Sequence, residues 1–225
     1  MVSRQFPGHP EIKILSWTVP AEELGYVSQV VVLRTAGPGA PVRLWQSSPD
    51  LSYRPKVSFL SEIAPHGVPL ALVQRQTGAA AAELDVIGRA NGHFGRLLQI
   101  DGFRFEVQRI GRDRMSSIVA HTDASLLDVP QIYSWSGSHF IDDSAGHPAY
   151  YRTLLAQDQK SLPHDTSPAV LLRLSRIAVL AGDPDAARKT LENALARERN
   201  RGKAADPDVV RSIMHALSAL PPRSR

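Results

Sequence analysis

The feature that most constrains the fold is a hairpin pattern that recurs in the first two thirds of the chain. The stretch Pro130–Ile141 (PQIYSWSGSHFI) is a short apolar run, a Ser-Gly turn and a return strand that begins with His-Phe. The same order ends in His93-Phe94, at a spacing of 46 residues, and a weaker start of it lies at 42–45. Apolar runs separated by turn residues predict antiparallel hairpins. Their recurrence predicts about three tandem β units.

Single segments support this interpretation. Tyr26–Thr35 (YVSQVVVLRT) is the most β-branched run in the chain, and its apolar residues 30–33 predict a central strand that is buried on both faces. Asn91-Gly92 predicts a tight hairpin, because a type I′ turn needs positive φ at both central positions.

Two other segments complete the second unit. Asp101-Gly102 predicts a further turn, across which 94–100 would pair with 103–110. The alanine run 79–82 predicts a wide loop or one helical turn, because alanine favours helices and is depleted in strands.

After Asp142-Asp143 the apolar spacing changes from period two to period 3.6. Four segments there begin with a polar residue followed by proline, which fits the first helical position because that position needs no N–H. Gly182 is predicted to end the second helix in a left-handed conformation, and Asp183 to cap the third. The predicted helices lie near 148–160, 168–181, 184–200 and 207–220.

The second and third predicted helices resemble a tetratricopeptide hairpin. The family's large, small and turn positions are matched by Leu171, Leu174, Gly182, Ala187, Leu191, Ala194 and Leu195. The match covers about 28 residues and departs from the family pattern at Ser175, Ala178 and Arg199. Such repeats bind proteins when several stack into a groove. A single hairpin therefore implies a capping or packing role.

The β region resembles tandem propeller-type repeats of the FG-GAP class, in which a Trp-turn-Phe hairpin ends each unit. At the 46-residue spacing the identities are Val73/Val119, His93/His139 and Phe94/Phe140, and the alternating aspartates of that class's calcium loop are absent. Three units are fewer than the four or more blades of a closed propeller. An open stack, a twisted sandwich and a partial ring completed by another chain all remain open.

We therefore predict an α+β protein. Residues 1–145 are expected to form an antiparallel all-β repeat domain of about three blade-like or sandwich units, and 146–225 a helical, tetratricopeptide-like hairpin module. A chain of 225 residues is long enough to bury a sizeable core in this arrangement.

Composition excludes several kinds of site. The chain has no cysteine, which rules out disulfides, thiolate metal sites and cysteine nucleophiles. No P-loop or dinucleotide-binding glycine pattern occurs, which disfavours nucleotide chemistry. The net charge of +4 lies entirely in 197–225, which makes the high isoelectric point a property of the tail. We predict no cofactor and no bound metal.

The compartment stays open at this stage. No apolar run approaches the roughly 18 residues that span a bilayer, and the first residues contain no apolar signal core. The sequence predicts a cytoplasmic protein if Met1 is the native first residue, and an exported protein if the natural chain begins upstream.

Aromatic residues are the candidates for a binding surface. Strand alternation places Tyr133 and Trp135 on one face, where they could stack on a sugar or grip a peptide, and Trp45 is the third candidate. Packing within each β unit is the competing interpretation of all three residues.

A basic tail is the second candidate surface, formed by Arg197, Arg199, Arg201 and Lys203. These side chains could contact phosphates, but basic residues near a helix C-terminus also interact favourably with the helix dipole. Because no aromatic residues alternate with them, the sequence disfavours nucleic acid as a partner.

Two groups of polar residues could support chemistry. His121 and Asp123 share a strand face and could act as a base and its orienting carboxylate. His139 with Asp142 and Asp143 could start a metal site without completing it. The recurrence of histidine before phenylalanine predicts a repeated packing position instead.

The sequence favours a non-enzymatic module for protein–protein interaction or assembly, with self-association through exposed β edges as the specific hypothesis. One alternative is an extracytoplasmic glycan-binding module that uses Tyr133 and Trp135. A second alternative is a hydrolase that uses His121 and Asp123.

Overall fold

The computed structural model divides the chain into two compact units. Described residues 1–123 and 130–142 form a β-sheet unit, and described residues 128–129 and 143–222 form a helical unit. For Asp50, Ser161 and Lys203 only the backbone is described. The structure describes residues 1–21, 25–35, 39–53, 55–60, 70–90, 92–110, 116–123, 128–161 and 167–222.

The chain is an α+β protein, and its β-sheet unit contains three antiparallel sheets within the described residues. The first sheet has the order β1-β2-β3-β4, and β5 also pairs with β3. Its strands are β1 (Val2–Phe6), β2 (His9–Ala21), β3 (Gly25–Arg34), β4 (Val42–Gln46) and β5 (Asp50–Leu51).

The other two sheets are four-stranded meanders in sequence order. The middle sheet contains β6 (Lys56–Leu60), β7 (Leu70–Gly78), β8 (Ala81–Ala90) and β9 (His93–Gly102). The third sheet contains β10 (Arg104–Arg109), β11 (Ser116–His121), β12 (Gln131–Trp135) and β13 (Phe140–Asp142).

The three sheets stack face to face, and the middle sheet contributes apolar side chains on both of its sides. Val73 and Ile87 face the first sheet and join an apolar cluster with Ile14, Val30 and Val32. Residues of opposite parity on the same strands, such as Leu72 and Val86, join a second cluster with Ile118 and Phe140 of the third sheet. Side chains alternate across a strand, so each middle strand contributes to two cores.

Two expectations about the middle sheet were wrong. The alanine run forms neither a wide loop nor a helical turn: β7 ends at Gly78, a two-residue turn follows at 79–80, and the other two alanines begin β8 at Ala81. Pairing with β7 on one side and β9 on the other supplies the stabilisation that the alanines themselves lack.

Asp101-Gly102 does not close a hairpin. β9 pairs with β8 and β10 pairs with β11, and the chain passes from the middle sheet to the third sheet after Gly102. The passage is tight, because a Cβ at Gly102 would lie 2.8 Å from the backbone oxygen of His121. The same oxygen accepts a hydrogen bond of 2.7 Å from the N–H of Phe103.

The helical unit contains α1 (Pro148–Ser161), α2 (Pro168–Leu180), α3 (Pro184–Asn200) and α4 (Pro207–Ser218). All four begin at the prolines that predicted them. Gly182 has a φ of 82°, and the Asp183 side chain accepts a hydrogen bond from the Ala186 N–H, as predicted. Ser167 and Asp206 cap α2 and α4 in the same way.

The α2–α3 pair forms a close helical hairpin. Ala187, Leu191 and Ala194 of α3 are each at most 1% exposed, which lets the two helices approach. Ile213 of α4 packs against Leu191 and Ala194, with Leu171 and Leu195 beside them. Within the described residues, no helix combines the length and apolar character needed to cross a bilayer.

Candidate functional site

Tyr133 and Trp135 face the middle sheet. Both rings are half-buried and pack against the apolar cluster between the middle and third sheets. The Trp135 ring meets Phe140 edge to face at 5.2 Å, and the Tyr133 hydroxyl donates a 2.8 Å hydrogen bond to Gln131 Oε1. Burial raises the pKa of the Tyr133 hydroxyl, and the Asp142 carboxylate adds to the effect. The ligand-binding role of these rings remains a prediction.

Trp45 belongs to a different part of the β-sheet unit. It lies opposite Val32 in the β3–β4 ladder and packs against the cluster between the first and middle sheets. The structure therefore places Tyr133 and Trp135 against one core and Trp45 against another.

His121 lies at the end of β11, half-buried, and Asp123 is exposed. The His121 Nε2 is 3.1 Å from the Nη2 of Arg104. A guanidinium has no lone pair to offer, so this contact makes Nε2 the acceptor. Neither His121 nor Asp123 lines any of the three clefts described below. The proton-transfer role remains a prediction.

The recurring histidines are not packing positions, contrary to the sequence-based expectation. His93 and His139 are both exposed, because adjacent residues of a strand point to opposite faces and the phenylalanine that follows each histidine points inwards. The His139 Nδ1 lies 2.9 Å from the Ser138 hydroxyl.

The Asp143 Oδ2 lies 3.1 Å from the His147 Nε2. No group of three or more His, Asp or Glu residues in the described part of the chain is arranged to hold a metal ion. His139, Asp142 and Asp143 do not form such a group.

The basic tail is partly tied into the helical unit. Arg197 and Arg199 are exposed in the last turn of α3, where they complement the helix dipole. Arg201 forms a 2.9 Å ion pair with Glu198, which is 2% exposed. The backbone of Lys203 lies in a short turn at Gly202–Ala204, and its side chain is outside the described residues.

Four charged side chains form an ion cluster between the first and middle sheets, which we call the buried ion cluster: Arg75, Glu83 and Asp85 are buried, and Arg96 is exposed at its edge. Arg75 donates to Glu83 and, at 3.2 Å, to Asp85, and Arg96 reaches Asp85 at 3.4 Å. The Arg75 side chain is 4% exposed and that of Asp85 is fully buried. With both carboxylates ionised, the two positive and two negative charges of the cluster balance.

This cluster predicts an unusual pH dependence. Burial raises the pKa of Asp85 despite the opposing charges of Arg75 and Arg96, and burial raises that of Glu83 despite Arg75. Above the unfolded-state pKa of about 4, the folded protein therefore holds these protons more tightly than the unfolded chain. The stability contributed by these two groups is present at low pH and is lost as the pH rises through their folded-state pKa values.

We therefore expect the stability advantage of the wild type over Asp85→Asn to shrink as the pH rises from about 4.5 to about 7.5. Urea unfolding at several pH values measures this difference. Asp142→Asn is the control, because it removes an exposed carboxylate from β13 of the third sheet. An advantage that grows with pH would contradict the expectation.

At the opposite end of the same pair of sheets lies a pocket of about 290 Å³, which we call the intersheet pocket. Its apolar floor is formed by Ile12, Leu44 and Phe94. Its polar rim is formed by His9, Glu11, Arg34, Arg89 and His93.

Sequence reasoning missed this pocket. The available signal was the alternation of side chains along a strand. Arg34 has the same alternation as Val30 and Val32, which point inwards, and Arg89 has the same alternation as Ile87. A charged residue at an inward-facing position near the end of a strand indicates that the apolar core ends there and solvent begins.

Two other clefts have less to offer a ligand. A groove of about 320 Å³ in the helical unit runs along α1 to the α2–α3 turn, where the Arg152 Nε donates a 3.1 Å hydrogen bond to the Ala181 oxygen. A smaller cleft of about 110 Å³ between the middle and third sheets is lined by Lys56 and mainly apolar side chains.

The first sheet turns a largely apolar face away from the middle sheet. Ten residues of the paired segments 12–21 and 25–34 alternate onto this outer face: Lys13 and Gln29 are polar, Ala21 and Gly25 are small, and the other six are larger apolar residues. In the flanking strands, Ser3 and Gln5 of β1 and Arg43 and Gln46 of β4 share this face through their pairing with β2 and β3. Val31 is 8% exposed, Val19 is 49% exposed, and the other four apolar residues have intermediate exposure. The six apolar residues of the outer face are Leu15, Trp17, Val19, Val27, Val31 and Leu33.

Comparisons with known proteins add no relative. No protein-family model, no curated protein and no solved structure matches this chain. The function is therefore inferred from the geometry of these surfaces.

Proposed function

We propose that the chain is an assembly module that binds a second copy of itself through the outer face of its first sheet. The observation that carries this proposal is the polarity of that face. An antiparallel sheet that faces water on one side alternates apolar residues inwards with polar residues outwards. β2 and β3 instead place Ser16, Thr18 and Ser28 inwards and apolar residues such as Trp17 and Val19 outwards.

The way in which the three sheets already pack supports another sheet as the partner that covers this face. The first, middle and third sheets already associate through apolar faces, and the outer face offers the same aliphatic and aromatic chemistry at the end of the stack. A second copy can supply such a face by two-fold symmetry, in which the same surface is buried on both subunits.

The size of the face is sufficient for a specific complex. β2 and β3 are 13 and 10 residues long and form the apolar centre of the face, and the flanking strands add a polar rim that includes Arg43 and Gln46. Centre and rim together present a face of roughly 500 Å² at ordinary strand spacing. Two such faces would bury about 1,000 Å² in total, which is at the lower bound for a specific interface.

The test is the oligomeric state of Val19→Glu, measured by native mass spectrometry and by light scattering over a range of concentrations. The wild type should be a dimer. Val19→Glu should weaken the dimer by roughly 100-fold, because the symmetric interface would bury two carboxylates, each without a partner.

Val42→Glu is the matched control. Val42 has the same 49% exposure and lies on the same sheet, but it pairs with Arg34 and so points towards the inner face. It should leave the dimer intact. A wild-type monomer at about 100 μM, a concentration at which weak specific dimers form, would refute the proposal. Equal dissociation by both variants would also refute it.

A further inference from the structure

Two arginines from different sheets line the intersheet pocket. Arg34 ends β3 of the first sheet, and Arg89 lies near the end of β8 of the middle sheet. Both side chains are exposed, and neither guanidinium forms a hydrogen bond or an ion pair with any other described residue. A guanidinium presents its donors as a planar fork that matches a carboxylate in two-point contact.

The single acid of the rim does not neutralise them. The Glu11 Oε1 lies 3.2 Å from the His9 Nδ1. The backbone N–H of Glu11 lowers the pKa of its carboxyl, and the side-chain hydrogen bond with His9 and the charge of Arg34 add to this effect. Two arginines against one glutamate give the rim an excess of one positive charge with both histidines neutral. This balance favours an anionic ligand over a cationic one.

The floor adds a requirement that charge alone does not explain. The Phe94 ring is held edge to face against Phe6 at a centroid distance of 5.1 Å. Phe94 and Leu44 remain partly exposed in the pocket, while Ile12 beside them is buried. A ligand that consisted only of an anionic group would leave this apolar surface in water. An apolar body on the ligand would cover it.

We propose that the intersheet pocket binds a small organic carboxylate, with the carboxylate between Arg34 and Arg89 and an apolar body on Ile12, Leu44 and Phe94. The volume of about 290 Å³ is at the small end of ligand sites and suits a compact molecule of one ring or a short alkyl chain. This site is independent of the proposed self-association, because the pocket lies on the inner side of the first sheet.

Phenylacetate is the probe, and its neutral analogue phenylacetamide is the ligand control. Titration of ¹⁵N-labelled full-length protein by NMR should shift the amide signals of Ile12, Gly92 and Phe94. The affinity for phenylacetamide should be weaker by about tenfold, because the amide loses the charge-assisted contacts to the two guanidiniums. Inorganic phosphate should bind more weakly than phenylacetate, because it leaves the apolar floor uncovered.

Arg34→Gln and Arg89→Gln should each weaken phenylacetate binding by about tenfold. The matched control is Arg43→Gln on β4, which removes one positive charge from the opposite face of the same sheet and should not change the affinity. The urea midpoints should be unchanged in all three variants, which separates lost binding from unfolding.

Three results would overturn the proposal. The first is equal binding of phenylacetate and phenylacetamide, and the second is phosphate binding as tight as phenylacetate binding. The third is an absence of localised amide shifts at millimolar phenylacetate. That concentration is well above the dissociation constant expected for a ligand that contacts two arginines and an apolar floor.

Discussion

Replacing Arg75 by methionine is expected to lower the free energy of unfolding of the β-sheet unit by about 3–5 kcal/mol at neutral pH. The substitution leaves Glu83 and Asp85 in the buried ion cluster without their shared cation, and Arg96 reaches only Asp85. An uncompensated buried carboxylate is far more costly than a missing surface ion pair. The loss should shrink as the pH falls, because the two carboxylates can then take up protons.

Urea unfolding followed by tryptophan fluorescence measures this loss directly. All three tryptophans of the chain, Trp17, Trp45 and Trp135, lie in the β-sheet unit, so the signal reports that unit alone. The control is Arg104→Met, which removes an exposed partner of Glu106 and should cost at most about 1 kcal/mol. Similar losses in both variants would mean that the buried ion cluster contributes no more than a surface pair.

Replacing Phe6 by alanine should lower the free energy of unfolding by a similar amount, about 3–5 kcal/mol. Phe6 is 2% exposed and its ring meets Phe59 and Phe94 of the middle sheet edge to face, at 5.6 and 5.1 Å. The truncation would open a cavity in the apolar cluster between the two sheets and remove both aromatic contacts.

Phe103→Ala is the matched control, because Phe103 is 36% exposed at the passage between the middle and third sheets. Its truncation should cost about 1 kcal/mol or less. The denaturant slope should stay constant in both variants if they unfold in one step. If Phe6→Ala lowered the free energy of unfolding no more than Phe103→Ala, packing of the edge strand β1 against the middle sheet would contribute little to stability.

The length of the β repeat could be predicted from the sequence, but the residues at which each unit begins and ends could not. The spacing of 46 residues from Phe94 to Phe140 relates the fourth strands of two successive sheets, β9 and β13. The predicted turn at Asp101-Gly102 nevertheless assigned β10 to the preceding unit. A two-residue turn chemistry is compatible with a hairpin and with a passage between sheets, and only long-range pairing with β11 distinguishes them.

The helices were predictable because their signals are local. A proline at the first position and a capping side chain before it act within a few residues, so they do not depend on tertiary context. The intersheet pocket and the buried ion cluster combine residues from distant strands, such as Arg34 with Arg89 and Arg75 with Asp85. Neither could be found before the stacking order of the sheets was known.

Because neighbouring strands of each sheet follow one another in the sequence, such a chain can gain or lose whole sheets in evolution. Each sheet is built from strands that are consecutive in the chain, and the passage at Gly102 joins one complete sheet to the next. Duplication or deletion of one 46-residue segment would therefore add or remove a whole layer without rethreading any other strand. Length variants of this architecture should differ by whole multiples of that segment.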